Sequence, residues 1–169
     1  IRLQVMFAGL SLDEAYKLAD RIDDSIGAKL NYAFDERIGF LTQCPANLGT
    51  GMRASVVLHL PALSRCGQIQ RLVTTVSKLG LSLRGSYGEG AKAKGDLYQL
   101  SNQITLGISE QAAIENLKSI ALQIAAQERS AREEMLKRDD TEDMICRAYG
   151  VLRYARILGC DEFMELLSL

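Results

Sequence analysis

The 169-residue chain is 47% hydrophobic and 24% charged, with 20 Lys and Arg against 21 Asp and Glu. That balance provides no overall field for nucleic acid or an anionic membrane surface and leaves only local charged pockets to consider. No run approaches the roughly 18 apolar residues of a membrane-spanning helix, so the composition is that of a globular domain.

Residues 1–7, IRLQVMF, read as a strand. Ser11-Leu12-Asp13-Glu14 is a capping-box pattern, with Ser11 as N-cap. Leu12, Ala15, Tyr16, Ala19, Ile22 and Ile26 recur at helical spacing and predict an amphipathic helix over 12–29. NYAFDERIGFLTQC supplies a hairpin-like excursion. Arg53 to Leu60 is rich in β-branched and leucine residues and predicts a strand that stops at Pro61. A helix over roughly 67–79 follows, then a short strand, LSLRG. The glycine-rich GSYGEGAKAKGD loop leads to a strand over 97–106 with a polar middle. The clearest helix covers 109–135, where Ile114, Leu117, Ile120, Ala121, Ile124 and Ala125 line one side. A last helix starts near Thr141 and runs through YGVLRYARIL, with Gly150 as a packing contact or slight bend and Gly159 as its stop.

Strand, helix, strand, helix, two strands and long helices make an α+β order, a sheet covered by helices. There is neither a strand followed by GxGxxG nor a GxxxxGK[ST] loop, so any nucleotide is held by another arrangement. Cys44, Cys66, Cys146 and Cys160 are too scattered for a metal cluster or a disulfide framework. They read as reduced thiols of a cytoplasmic protein. IRLQVMF starts without a cap or turn, and DEFMELLSL stops while still apolar and periodic. The chain is expected to be part of a larger folded unit.

Chemistry gathers at two glycine turns. In CPANLGTGMR, Asn47 and Gly49 support a turn with exposed amides, and Arg53 stands just beyond Gly51. A planar guanidinium there suits phosphate oxygens in two-pronged fashion. Taken alone, the motif favours a structural turn, with Cys44 an inert thiol and His59, the single histidine, a structural or surface imidazole. Arg84-Gly85-Ser86-Tyr87-Gly88-Glu89-Gly90 repeats the pattern of an arginine at a strand end before a glycine turn, and Arg2 adds a third guanidinium. Three such arginines neutralise one polyphosphate if their strand ends converge. Glu89 reads as a cation ligand, an arginine-orienting group, a substrate contact or a plain surface carboxylate. The helix arginines Arg147 and Arg153 read as surface or packing residues.

CPANLGTGMRASVVLHLP, followed by RGSYGEG and NQITLG, resembles the phosphagen (ATP:guanido) kinase family, from Arg2 through YGVLRYAR. RGSYGEG, NQITLG and the QERSARE helix resemble the branch that acts on arginine side chains in proteins. The resemblance implies a largely antiparallel sheet flanked by helices, and transfer of the γ-phosphate of ATP, with Mg²⁺, to a guanidino group. It implies Arg2, Arg53, Ala54, Ser55, Val56, Val57, Arg84, Gly85, Ser86, Tyr87, Gly88 and Glu89 as the nucleotide pocket. It implies Cys44, Asn47, Arg53, Arg84 and Glu89 as catalytic residues, Cys44 lying beside the guanidino substrate without forming a covalent phosphoenzyme. Direct metal ligands are not assigned. Protein substrates, a homodimer, and a stress-response regulator and protease as partners follow from the resemblance; nucleic acid and membrane do not.

By the same resemblance, residues 1–169 are a partial catalytic domain. The acidic segment that handles the guanidino proton lies upstream of Arg2, and a phosphoarginine-recognition motif lies downstream. The 169 residues alone are expected to be inactive. Three other readings stay open: a small-molecule guanidino kinase, a noncatalytic phosphate- or phosphoarginine-binding regulatory domain, and a structural or oligomerisation piece.

Overall fold

A computed structural model describes residues 1–86 and 93–169. The chain divides into two compact units, residues 1–56 with 101–119 and residues 57–100 with 120–169.

In the first unit, residues 1–7 form no regular element, contrary to the strand expected there. A β-branched run becomes a strand only where a second backbone completes its ladder, and none does so among the described residues. Helix α1 covers Leu12–Gly27. Its capping box does not form: the Ser11 hydroxyl donates instead to the Ala8 carbonyl at 3.2 Å, and Ser11 contributes its carbonyl to the Ala15 N–H at 3.1 Å. The expected hairpin is present as β1 (Phe34–Asp35) and β2 (Gly39–Phe40), antiparallel, with Phe34 opposite Phe40. Its turn is closed by the Asp35 carboxylate, which accepts the N–H groups of Arg37 and Ile38 at 2.8 and 3.1 Å. Tyr32 and Phe34 both meet Phe40 edge-on, and the Tyr32 hydroxyl donates to Asp23 of α1 at 3.0 Å. The opening turns of helix α4 (Glu110–Met135) bury Ala113, Ile114 and Leu117, and Lys118 pairs with Asp13 of α1.

Strands β3 (Ser55–His59), β4 (Leu81–Gly85) and β5 (Leu97–Asn102) form a sheet in the order β3-β5-β4. β3 and β5 run antiparallel: Leu60 N–H reaches Asp96 O at 2.9 Å at one end, and Asn102 N–H reaches Ala54 O at 3.3 Å at the other. β5 stops at Asn102 and not at 106, because the Asn102 side chain turns to the backbone on either side of Arg53.

The second unit carries most of the apolar core. Leu60, Leu63, Val76, Leu81, Leu83, Leu100, Ala121 and Ile124 are all buried. Pro61 does more than end β3. It opens helix α2 (Pro61–Arg65) at a first-turn position where its missing N–H costs nothing. Helix α3 (Ile69–Lys78) packs against β4. The last expected helix is two helices, α5 (Asp139–Tyr154) and α6 (Cys160–Leu167). Ala155 turns extended at φ −65°, ψ 134°, and Gly159 is the N-cap of α6 and not a stop signal. Nor is Gly150 a packing contact, since a Cβ there would meet nothing within 4 Å.

Two polar clusters, each with a buried side chain at its centre, hold this unit. The Glu128 carboxylate, on α4, accepts the N–H groups of Ala62 and Leu63 at 3.0 Å each and the Arg132 Nε–H at 2.8 Å. It caps α2 from the side of another helix, satisfying donors that α2 cannot satisfy itself. Near the C-terminus, the Ser168 hydroxyl donates to Asp96 at 2.7 Å and lies 3.0 Å from His59 Nε2. The one hydroxyl proton is committed to the carboxylate, so His59 donates from Nε2. As expected, His59 is a structural imidazole.

Candidate active site

Cys44 is the N-cap of a 3-10 turn over Pro45–Asn47 and is exposed, not a core thiol. Its carbonyl accepts the Asn47 N–H at 3.0 Å and the Thr42 hydroxyl at 2.8 Å. Pro45 sits at the first position of the turn, where its fixed φ favours the bend. Asn47 is exposed as well. The turn is seated on two backbones. Phe40 N–H donates to Gly49 O at 2.8 Å, Gly49 N–H returns to Phe40 O at 3.2 Å, and Thr50 N–H donates to Thr105 O at 3.0 Å.

Gly49 is obligatory there. It lies at φ +103°, and a Cβ would stand 2.3 Å from the Thr105 carbonyl oxygen. The glycine expected from sequence to support a turn therefore also allows the turn to lie directly on the strand-end segment beneath it.

Arg53 is exposed, and its Nη2 donates to the Ser101 hydroxyl at 3.1 Å. Ser101 is 1% exposed. On either side of Arg53 the backbone is held by one buried side chain: Asn102 Oδ1 accepts the Ala54 N–H at 2.8 Å, and Nδ2 donates to Met52 O and Ile104 O at 3.2 Å each. Thr105 Oγ1 faces the carbonyls of Ala46 and Leu48 at 3.0 and 2.8 Å. The cysteine turn and Arg53 thus rest on one segment, Ser101–Thr105.

Ala54, Ser55 and Val56 are half-buried and Val57 is exposed. Arg2 is exposed on the irregular N-terminal segment. Arg84, Gly85 and Ser86 lie at the end of β4, in the second unit; Arg84 is exposed. The Ser86 amide donates to Leu97 O at 2.9 Å. Its hydroxyl oxygen is shielded and has no hydrogen-bond partner among the described residues. A shielded hydroxyl of this kind can bond a water or a ligand oxygen. Tyr87, Gly88 and Glu89 lie outside the described residues. Among the described residues no three His, Cys, Asp or Glu side chains gather to hold a metal ion.

Sequence reasoning missed Ser101, Asn102 and Thr105 as site residues. The available signal was the polar middle of the 97–106 strand: polar side chains in an otherwise apolar strand are buried only with partners.

The family model for the ATP:guanido phosphotransferase C-terminal catalytic domain matches residues 1–131. The chain belongs to this family. Over 170 aligned residues and 99% of its length it is 51% identical to a protein-arginine kinase of Caldanaerobacter subterraneus subsp. tengcongensis and 52% identical to one of Clostridium acetobutylicum. It spans 50% of each, so the chain has about half the length of these curated relatives. Among solved structures, the duplicated taurocyamine kinase of Schistosoma mansoni with bound transition-state-analogue components matches with a TM-score of 0.59 and 33% identity, over 69% of this chain and 16% of that one. A lombricine kinase matches with a TM-score of 0.57 and 29% identity, over 70% of this chain and 34% of that one. The α+β fold with antiparallel sheets flanked by helices is the guanido phosphotransferase fold, as the motifs implied. No helix among the described residues is long and apolar enough to cross a membrane.

Proposed function

We propose that this chain is the ATP- and guanidine-binding part of a kinase that transfers the γ-phosphate of ATP to arginine side chains in proteins. The observation that carries this reading is the likeness, over 99% of the chain, to proteins named protein-arginine kinase. The geometry supports it: an exposed arginine is anchored on a buried serine, beside a turn that presents an exposed thiol.

Transfer needs a guanidino nitrogen to form a bond to phosphorus as the bond to the ADP oxygen breaks, with a proton leaving the attacking nitrogen. Protein groups contribute by alignment and by charge placed where the phosphoryl oxygens pass. In this reading Arg53 takes nucleotide phosphate oxygens, and the resemblance gives a nucleotide-binding role also to Arg2, to Arg84, and to Ala54 to Val57 and Gly85 to Glu89. The shielded Ser86 hydroxyl, without a hydrogen-bond partner among the described residues, fits a ligand oxygen. Cys44 and Asn47 stand on the acceptor side, where the thiol sulfur faces a guanidinium. Glu89 assists there. No base is assigned among the described residues. Mg²⁺ would come with the nucleotide phosphates and, when bound, would supply charge neutralisation of the phosphoryl oxygens.

The family reading includes a cytoplasmic setting, which the four unpaired cysteines support. A homodimer and the regulator and protease partners rest on family resemblance. Residues 1–169 act as a partial catalytic domain that transfers little phosphate by itself.

The test is transfer by the full-length protein from MgATP to protein arginine and to free arginine, with Arg53→Ala in parallel. Phosphorylation of protein arginine, reduced at least about 100-fold by Arg53→Ala, is expected from the loss of a charge-assisted phosphate contact. Transfer confined to free arginine would overturn the substrate assignment, and an Arg53→Ala variant with unchanged MgATP kinetics would overturn the pocket.

A further inference from the structure

The segment Ser101–Thr105 makes side-chain bonds to both halves of the site, and the two sets come from different residues. Ser101 holds the Arg53 guanidinium, and Asn102 holds the peptide groups before and after Arg53. The single Thr105 hydroxyl proton lies between two carbonyls of the cysteine turn, Leu48 at 2.8 Å and Ala46 at 3.0 Å, while the Thr105 carbonyl accepts the Thr50 N–H. Ser101, Asn102 and Thr105 are 1%, 6% and 6% exposed, too buried to touch a substrate directly.

Each bond is of a kind that orders its partner. A long arginine side chain loses rotamer freedom when its fork is tied to a fixed oxygen, and that ordering is then already complete before a phosphate arrives. A 3-10 turn of three residues has few internal bonds, so its shape depends on external partners such as the Thr105 hydroxyl. Gly49 closes the pair, because only a residue without Cβ lets the turn approach the Thr105 carbonyl.

We infer that Ser101, Asn102 and Thr105 are positioning residues that set the nucleotide-side arginine and the acceptor-side cysteine turn at a fixed relation, Ser101 and Asn102 acting through Arg53 and Thr105 through the Cys44 turn. This rests on the proposed kinase function. Its consequence is a split: neighbouring substitutions along one short segment separate the apparent affinities for the two reactants.

The experiment uses the full-length protein with Ser101→Ala, Thr105→Val and the hydroxyl-retaining Thr105→Ser, with Ser101→Ala made again in an Arg53→Ala background. KM for MgATP, KM for the arginine acceptor, and Tm are measured for each. Ser101→Ala raises KM for MgATP about tenfold, the usual worth of a hydrogen bond to a charged group, and leaves the acceptor KM within about twofold. In the Arg53→Ala background it adds nothing further. Thr105→Val raises the acceptor KM several-fold with MgATP little changed, and Thr105→Ser restores it.

Ser101→Ala with equal effects in both backgrounds, or with a lowered Tm and unchanged KM for MgATP, overturns the inference while the kinase reading stands. So does Thr105→Val if it shifts both constants alike. Should Thr105→Val fail to fold, Ser101→Ala in its two backgrounds decides. An Arg53→Ala variant with wild-type MgATP kinetics removes the nucleotide reading and this inference together.

Discussion

The cysteine-turn region and the region around Glu128 use buried polar side chains for opposite ends. Around Cys44 and Arg53, the buried groups Ser101, Asn102 and Thr105 hold backbone and one guanidinium while the side chains proposed to meet the reactants stay exposed. Around Glu128, a 3% exposed carboxylate joins α4 to the start of α2, and His59, Ser168 and Asp96 join the end of β3 to the C-terminal residues. The first network positions a surface and the second assembles a core. A buried polar group is therefore not by itself a sign of chemistry. What it is bonded to, an exposed reactive residue or the end of a helix, tells the two cases apart.

Substitutions break that contrast in order of size. Glu128→Ala leaves the Ala62 and Leu63 amides buried without an acceptor and should lower stability by about 4 kcal/mol, since each orphaned donor costs roughly 1–3 kcal/mol. A denaturation midpoint indistinguishable from wild type would show that water replaces the carboxylate. Gly49→Ala places a methyl group against the Thr105 carbonyl at a left-handed φ, and about 3 kcal/mol of strain is expected. Because the strain falls on the seat of the cysteine turn, the full-length variant should lose transfer activity even at temperatures where it remains folded. Retained activity in the folded variant, together with the expected drop in Tm, would give Gly49 a structural role like that of Glu128.

The smallest effect is a dependence on pH. Partial desolvation first, then the neighbouring Arg132 charge, lowers the His59 pKa from its ordinary 6.5, against the opposing pull of Asp96 and Glu128. A folded-state pKa below the unfolded one means that the unfolded chain binds the proton more readily. Stability is then fully present above about pH 6.5 and declines as pH falls through it toward the lower folded value. Tm measured from pH 7.5 to 5.5 should fall less steeply for His59→Gln than for wild type. Equal slopes would assign the acid sensitivity to other groups.

The helices over 12–27, 69–78 and 110–135 were legible because their apolar spacing is long and regular, and the LSLRG strand because it is apolar and bounded by glycine. The N-terminal strand was misread for want of a partner, since a ladder depends on a second chain segment that local composition does not reveal. The YGVLRYARIL helix was read too long, because Tyr154 and Ile157 keep an apolar pattern across a backbone that turns extended at Ala155. Of the site, Cys44, Asn47, Arg53 and the Arg84 segment stood out by motif. Asn102 and Thr105 fall within NQITLG, which marks the family, but the supporting role of these two and of Ser101 was hidden, because they lie about 50 residues along the chain from the groups they hold.

By itself the sequence determined the long periodic helices and the glycine-bounded LSLRG strand and, through CPANLGTGMR, RGSYGEG and NQITLG, the family to which they belong. Helix periodicity and turn-forming glycines act over a few residues, so they survive in a linear reading. Only the tertiary structure decided that one strand end carries both the arginine and the cysteine turn, and that an exposed histidine is tied to a serine 109 residues away. Those bonds follow from where the folded backbone brings donors and acceptors within about 3 Å, a condition that residue order does not contain.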